Sequence, residues 1–359
     1  MLSVVVENTS AKKLIKIDPF FKKKVDVFRR YLYKIKWECD KHDNQLCNVF
    51  DGKEIIEQKS SIFVEQLSKK IFQNFDDHFN CLWTILVNSF NFTEINYKNN
   101  DAYKIHKEYY QRQLLDFFIG CNFLQQVLYK PLGYAGDYKM LNFIYNSKST
   151  NSGSFFNLID LYTMNILISQ AVRLRKNYIL EKIRGCLDKG NQSFLSVACS
   201  SAPEVFSLMS DKITHSVEYC LMDSDNKAIQ CIKDNLSMLN PSFTLKYYNN
   251  NISDLIRNKL DLTAMDMIYS IGLFDYLKDG LFVKTAKYLF DILNDEGVLV
   301  IGNVSSANPS RAYMALIGEW YVIHRTEDDL RDIALRCGFK NYRVERDSTG
   351  IQLYLVVNK

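Results

Sequence analysis

From Phe194 onward, short apolar runs alternate with helical stretches, and this constrains the fold more than any other feature of the chain. The runs fall at 194–198, 217–222, 243–248, 266–271, 297–302 and 351–357, with a further strand at 342–346. Helical spacing fills the gaps at 203–210, 225–238, 281–293 and 326–336. Apolar strands each followed by a helix build a mainly parallel sheet with helices on both faces. The last two runs, YRVER and IQLYLVV, are joined by DSTG. They read as a hairpin, which makes the C-terminal edge of the sheet antiparallel.

The first third has another texture. Residues 13–130 hold one proline, Pro19. FFKKKVDVFRRYLYKIKWECDKH and KSSIFVEQLSKKIFQNFDDHFNCLWTIL repeat apolar residues three and four apart. That spacing predicts amphipathic helices, so residues 1–130 form an all-helical N-terminal domain whose aromatic stripes face its core. KPLGYAGDYKMLNFIY, Lys130 to Tyr145, interrupts it with Pro131, Gly133 and Gly136, the mark of a loop. The polar NSKSTNSGS, Asn146 to Ser154, suits a hinge. Leu161 to Leu187 then reads as one long helix carrying Arg173 and Arg175. The expected division is 1–130 helical, 131–190 loop and connecting helix, and 191–359 sheet domain.

With 359 residues, 47% of them hydrophobic, the chain has material for two domains and a large core. A net charge of +4 is too weak to argue for nucleic acid. Nine cysteines show no CxxC pair and no zinc spacing, which points to a reducing compartment and no metal. MLSVVVENTSAKKL lacks the pattern of a signal peptide, and no run approaches the roughly 18 apolar residues of a membrane span. The expectation is a soluble cytoplasmic protein.

FLSVACSSAPEV, Phe194 to Val205, is a buried strand running through a tight turn into a helix start. In such sheets a nucleotide cofactor binds at the carboxyl ends of the strands. The turn lacks glycine, yet Ala198, Cys199 and Ser200 are small enough for the backbone to approach a ligand. Asp223 ends the next strand, 22 positions beyond Ser201 and close to the roughly 20 expected of a ribose-binding acid. Ser224 follows it. The third strand ends near Asn251 and Ile252, the fourth near Ser270 and Gly272. Asp223 and Asn251 also suit helix caps, and Glu204, a candidate contact to the amino group of a cofactor, also suits any first helical turn. The missing GxGxxG argues against a dinucleotide, whose pyrophosphate needs those glycines.

This combination resembles the class I S-adenosylmethionine-dependent methyltransferases. With GYAGD, AVRLRKNYILEKI and GNVSSANPSRAYMALIGEWYVIHRT added, residues 128–357 look like a bacterial family that makes 3-hydroxypalmitic acid methyl ester. The resemblance implies a Rossmann-like class I fold, S-adenosylmethionine as cofactor and O-methylation of a carboxyl or acyl-type small molecule. It implies a GYAGD lid with Tyr134 and Asp137 at the reacting methyl, beside the plainer reading of a turn that needs its glycines. One of Arg173 and Arg175 would face the site, and Arg173 is taken as the cofactor contact. Tyr138, Asp275, Tyr276, Trp320 and Arg325 are the expected acceptor contacts, and His324 the candidate base. A homodimer is one candidate assembly. A methyltransferase on protein or nucleic acid, and a binding module without turnover, are the alternatives.

Overall fold

Phe21, Val25, Phe28, Leu32, Ile35 and Cys39 are buried along one helix, alternately four and three residues apart. That interval holds an apolar stripe on one helix face. The computed structural model describes residues 15–49, 53–90, 97–133, 135–146, 153–190, 192–209, 211–236, 242–260 and 262–359. The helix is α1 (Pro19–Val49), and its stripe packs on α2 (Lys53–Phe90), where Val64, Ile71, Phe75, Phe79, Leu82 and Leu86 are buried. Then come α3 (Asp101–Leu114), α4 (Asn122–Tyr129), α5 (Tyr138–Asn146), α6 (Ser154–Asn165) and α7 (Leu167–Leu187). Aromatic rings lock this unit together. Phe75 meets Tyr162 at 4.9 Å, Phe79 meets Tyr313 at 5.0 Å, and Tyr162 meets Tyr313 at 5.3 Å. Each ring buried this way contributes about 1.5–3 kcal/mol. These rings are core, as their spacing predicts.

The sheet strands are β1 (Gln192–Val197), β2 (Val217–Met222), β3 (Phe243–Tyr248), β4 (Met265–Ser270), β5 (Leu293–Val304), β6 (Tyr342–Arg346) and β7 (Gln352–Asn358). Their order is β3-β2-β1-β4-β5-β7-β6. β1 to β5 pair in parallel, and β7 is antiparallel to both neighbours, so the predicted C-terminal hairpin is present. The intervening helices are α8 (Pro203–Leu208), α9 (Asn226–Asn235), α10 (Ile252–Leu255), α11 (Asp279–Asp291), α12 (Arg311–Leu316) and α13 (Glu327–Cys337). Strand residues alternate between two cores. Phe194, Tyr219, Met267 and Tyr269 face α7, α8 and α9. Leu195, Val197, Ile268 and Leu299 face α11 and α13.

The chain divides into two compact units, Met1–Ser169 with Pro309–Tyr321, and Gln170–Asn308 with Val322–Lys359. The division falls inside α7, away from residues 130 and 190, and α12 belongs to the helical unit. The long helix expected over Leu161–Leu187 is two helices. Ile166 takes an extended conformation (ψ 152°) and separates α6 from α7. β5 begins at Leu293, four residues before the expected start, because Leu293 pairs with Met265 across a register shift. Most of the expected hinge, residues 147–152, lies outside the described residues. Among those described, no single helix is long and apolar enough to cross a membrane.

Candidate functional site

The turn after β1 solves its missing glycines by strain. Ala198, Ser200 and Ala202 take φ of 57°, 54° and 45°, all left-handed. A non-glycine residue in that region costs roughly 1–2 kcal/mol. The alternation brings a nearly bare backbone to the carboxyl end of β1. Cys199 lies buried between, its thiol pushed up by burial and so held neutral. The Ser200 hydroxyl is buried and makes no hydrogen bond within the described protein.

Asp223 ties this turn to the end of β2. One carboxylate oxygen accepts the Ser200 N–H at 2.8 Å, the other the Asp225 N–H at 2.9 Å. The helix cap is Asp225, whose side chain accepts from the Lys227 N–H, so Asp223 is not the cap of α9. Burial raises the Asp223 pKa, against the pull of its backbone donors. A carboxylate has about four lone-pair positions, so two amides leave acceptor capacity. Ser224 is exposed beside it. Asn251 caps α10 through the Asp254 N–H, with Ile252 half-buried as the first helical residue.

Glu204, in the first turn of α8, is buried and accepts the Tyr269 hydroxyl at 2.5 Å. With that proton committed, Tyr219 donates to Tyr269 at 2.6 Å. Burial raises the Glu204 pKa, and Arg175 opposes the rise. Beside β1, the Ser270 hydroxyl donates to the Val197 carbonyl at 2.8 Å and fastens the ends of β1 and β4. Arg175 Nη1 donates to the Ile271 carbonyl at 3.0 Å, and its guanidinium lies 3.5 Å from where a side chain on Gly272 would begin. Arg175 is buried, whereas Arg173 is half-buried on another face of α7. The arginine bonded at the strand ends is therefore Arg175 rather than Arg173.

These elements meet where β1 and β4 lie side by side and the strand order reverses, the usual ligand crevice of an open α/β sheet. The fold is a mainly parallel seven-stranded α/β sheet with an antiparallel C-terminal edge. No protein-family model matches the chain, and no curated protein matches it. A solved structure from Bordetella parapertussis, described as a possible exported protein, superposes with a TM-score of 0.52 and 15% identity, covering 66% of this chain and 86% of that one. The CMeT domain of the citrinin polyketide synthase gives 0.44 at 11% identity, covering 72% and 69%. Magnesium protoporphyrin IX methyltransferase from Synechocystis PCC 6803, with bound SAM, gives 0.39 at 10%, covering 54% and 84%. At these identities the likeness concerns the fold alone.

Asp275 and Arg325 are bonded within the sheet unit. The buried Asp275 accepts the Val304 N–H at 2.6 Å, clamping the loop after β4 to the end of β5. Its desolvation pushes its pKa up to about 6. Arg325 is 3% exposed. It donates to the Phe274 and Leu277 carbonyls, to Asn303 Oδ1 and to Asp279 Oδ1. His324 is buried, with Nε2 3.2 Å from the Asn308 amide nitrogen. Arg325 is thus taken up by four acceptors of its own fold, while the Nδ1 of His324 finds no hydrogen bond among the described residues. Tyr276 stands exposed on the loop after β4.

In the helical unit, Gly133 and Gly136 take φ of 89° and 79°, conformations that favour glycine at both positions. Asp137 is buried, accepting the Met140 N–H and the Gln126 side-chain amide, each at 2.8 Å. That makes it the N-terminal cap of α5. Tyr138 is half-buried as the first residue of α5, and Tyr134 lies outside the described residues. Trp320 is buried beside a cavity shared with Phe123, Val127 and Met140. At about 20 Å³ that cavity holds one water, not a substrate. Among the described residues, no cluster of His, Cys, Asp or Glu is placed to hold a metal ion.

Proposed function

We propose that this protein is an S-adenosylmethionine-dependent methyltransferase acting on a small molecule, with O-methylation of a carboxyl or acyl-type acceptor. The observation that carries the reading is the β1–α8 turn. Its left-handed backbone opens at the switch point, with the Asp223 carboxylate beside it at the end of β2. The start of α8 is ill suited to a phosphate. Pro203 removes one N–H there, and Glu204 places a buried acid in the first turn. A cofactor without phosphate, carrying a ribose for Asp223 and a positive sulfonium, suits that chemistry.

Methyl transfer from a sulfonium is an in-line displacement, so the protein chiefly positions the acceptor and excludes water. A carboxylate acceptor is ionised at neutral pH and needs no base, which accords with the buried, bonded state of His324. The cofactor half of the reading is tested by calorimetry with S-adenosylmethionine and S-adenosylhomocysteine, and absence of heat with both overturns it. For the acceptor, methyl-labelled cofactor is offered with hydroxylated and plain fatty acids, with total protein and with nucleic acid. Label extracted as ester supports the proposal; label only in the protein or nucleic-acid fraction overturns it.

A further inference from the structure

We propose that the cleft between α1 and α2 binds a small aromatic carboxylate. Every residue of this site belongs to the helical unit, so the proposal stands apart from the methyltransferase reading. The cleft has a volume of about 270 Å³. That lies just below the usual range of ligand pockets and suits a molecule of one or two rings. The walls are the first argument. Phe28 and His78 line the cleft as stacked rings, with centroids 3.8 Å apart and planes 11° from parallel. Tyr31 adds a third ring 6.4 Å from Phe28, and Val27 and Cys81 extend the apolar lining. Three aromatic rings around one small space favour a flat, aromatic occupant, which can stack on them or meet them edge to face.

The second argument is the excess of donors. The buried Tyr110 hydroxyl lies 3.5 Å from His78 Nε2, and burial holds that phenol protonated. It therefore donates to Nε2. Burial, aided by the charge of Lys24, pushes the His78 pKa down to about 3, so the ring is neutral and its one proton sits on Nδ1. That N–H finds no acceptor among the described residues, although His78 is only 8% exposed. A buried donor left without a partner is costly, and an acceptor entering the cleft would satisfy it. Asn74 donates to the Tyr31 hydroxyl at 3.0 Å, which leaves the Tyr31 proton for a ligand. Lys24 supplies a cation that makes no ion pair among the described residues and acts on His78. Asp77, the acid of the lining, accepts the Gln73 side-chain amide at 2.8 Å and is not among the charges acting on His78. One cation with two neutral donors matches the single charge and the acceptor oxygens of a carboxylate. A phosphate dianion would bring a second charge toward Asp77 with no cation to meet it.

The test varies ligand and protein together. The full chain is titrated by calorimetry with 2-naphthoate, with the uncharged 2-naphthamide, with the cationic 2-naphthylmethylamine and with octanoate. Naphthoate is expected to bind at least fivefold more tightly than the other three. Lys24→Glu should weaken naphthoate at least tenfold. Lys34→Glu makes the same charge change at another exposed position of α1 and should stay within about twofold of wild type. His78→Phe keeps a ring but removes the N–H, and should cost at least fivefold. If that variant does not fold, the two lysine variants and the ligand series still decide, since both lysines are exposed. No heat with naphthoate at millimolar concentration overturns the proposal. So does equal loss in Lys24→Glu and Lys34→Glu, or an amide or amine that binds as tightly as the acid. Octanoate binding as tightly as naphthoate overturns the aromatic assignment.

Discussion

Ser200 combines a left-handed backbone with a buried hydroxyl that finds no partner in the described protein. Glycine takes that conformation freely, although it loses about 0.4–1 kcal/mol through the unfolded state. Relief of strain at roughly 1–2 kcal/mol should win. Ser200→Gly is therefore expected to stabilise by about 1 kcal/mol, and Ser200→Val to destabilise, because a branched side chain fits the left-handed region worst. Paired urea melts read both, and a glycine variant that melts earlier would contradict the argument. Tyr269→Phe acts on the neighbouring network. It leaves Glu204 buried without its donor, at a cost of about 1–3 kcal/mol. The same melts should show a loss well beyond that of an exposed Tyr→Phe change such as Tyr33→Phe.

At the scale of elements, two loops carry predictions. The turn before α5 needs Gly136 at φ 79°, and Gly136→Ala imposes a left-handed alanine on it, destabilising by about 1–2 kcal/mol. Thermal melts followed by circular dichroism measure that. The clamp between the β4 loop and β5 is pH-dependent. Asp275 titrates near 3.8 in the unfolded chain and is pushed up to about 6 by burial in the fold. The native state holds its proton more tightly, so its contribution is complete below pH 4 and is lost as pH rises through about 6. Asp275→Asn keeps an oxygen for the Val304 amide and does not ionise. The stability difference between wild type and variant should shift in favour of the variant between pH 4 and 6.5. A difference independent of pH would show that burial does not raise the Asp275 pKa.

For the whole molecule, a ligand bound at a hundred times its dissociation constant stabilises the folded state by about 2.7 kcal/mol. S-adenosylhomocysteine should therefore slow hydrogen exchange most at residues 198–204, 223–225 and 270–272, and less in α1 and α2. Protection confined to α1 and α2 would move the site into the helical unit. Much of this architecture was legible in the chain. Apolar runs announce strands because a parallel sheet is buried on both faces, and three-and-four spacing announces helices because one face must be hidden. Small side chains after β1, and an acid after β2, marked two of the strand ends that meet at the crevice. Other features needed the fold. Nothing local breaks the helix at Ile166, and Leu293 joins β5 only because Met265 lies alongside. Ala198, Ser200 and Ala202 favour right-handed backbone by themselves, and it takes a fixed β1 and a fixed α8 to hold them left-handed. Arg173 and Arg175 are the same residue two positions apart, about 200° around a helix. Sequence spacing places them on different faces, but which face meets the strand ends is decided by how α7 is rotated against the sheet, a property of packing that neither residue carries alone.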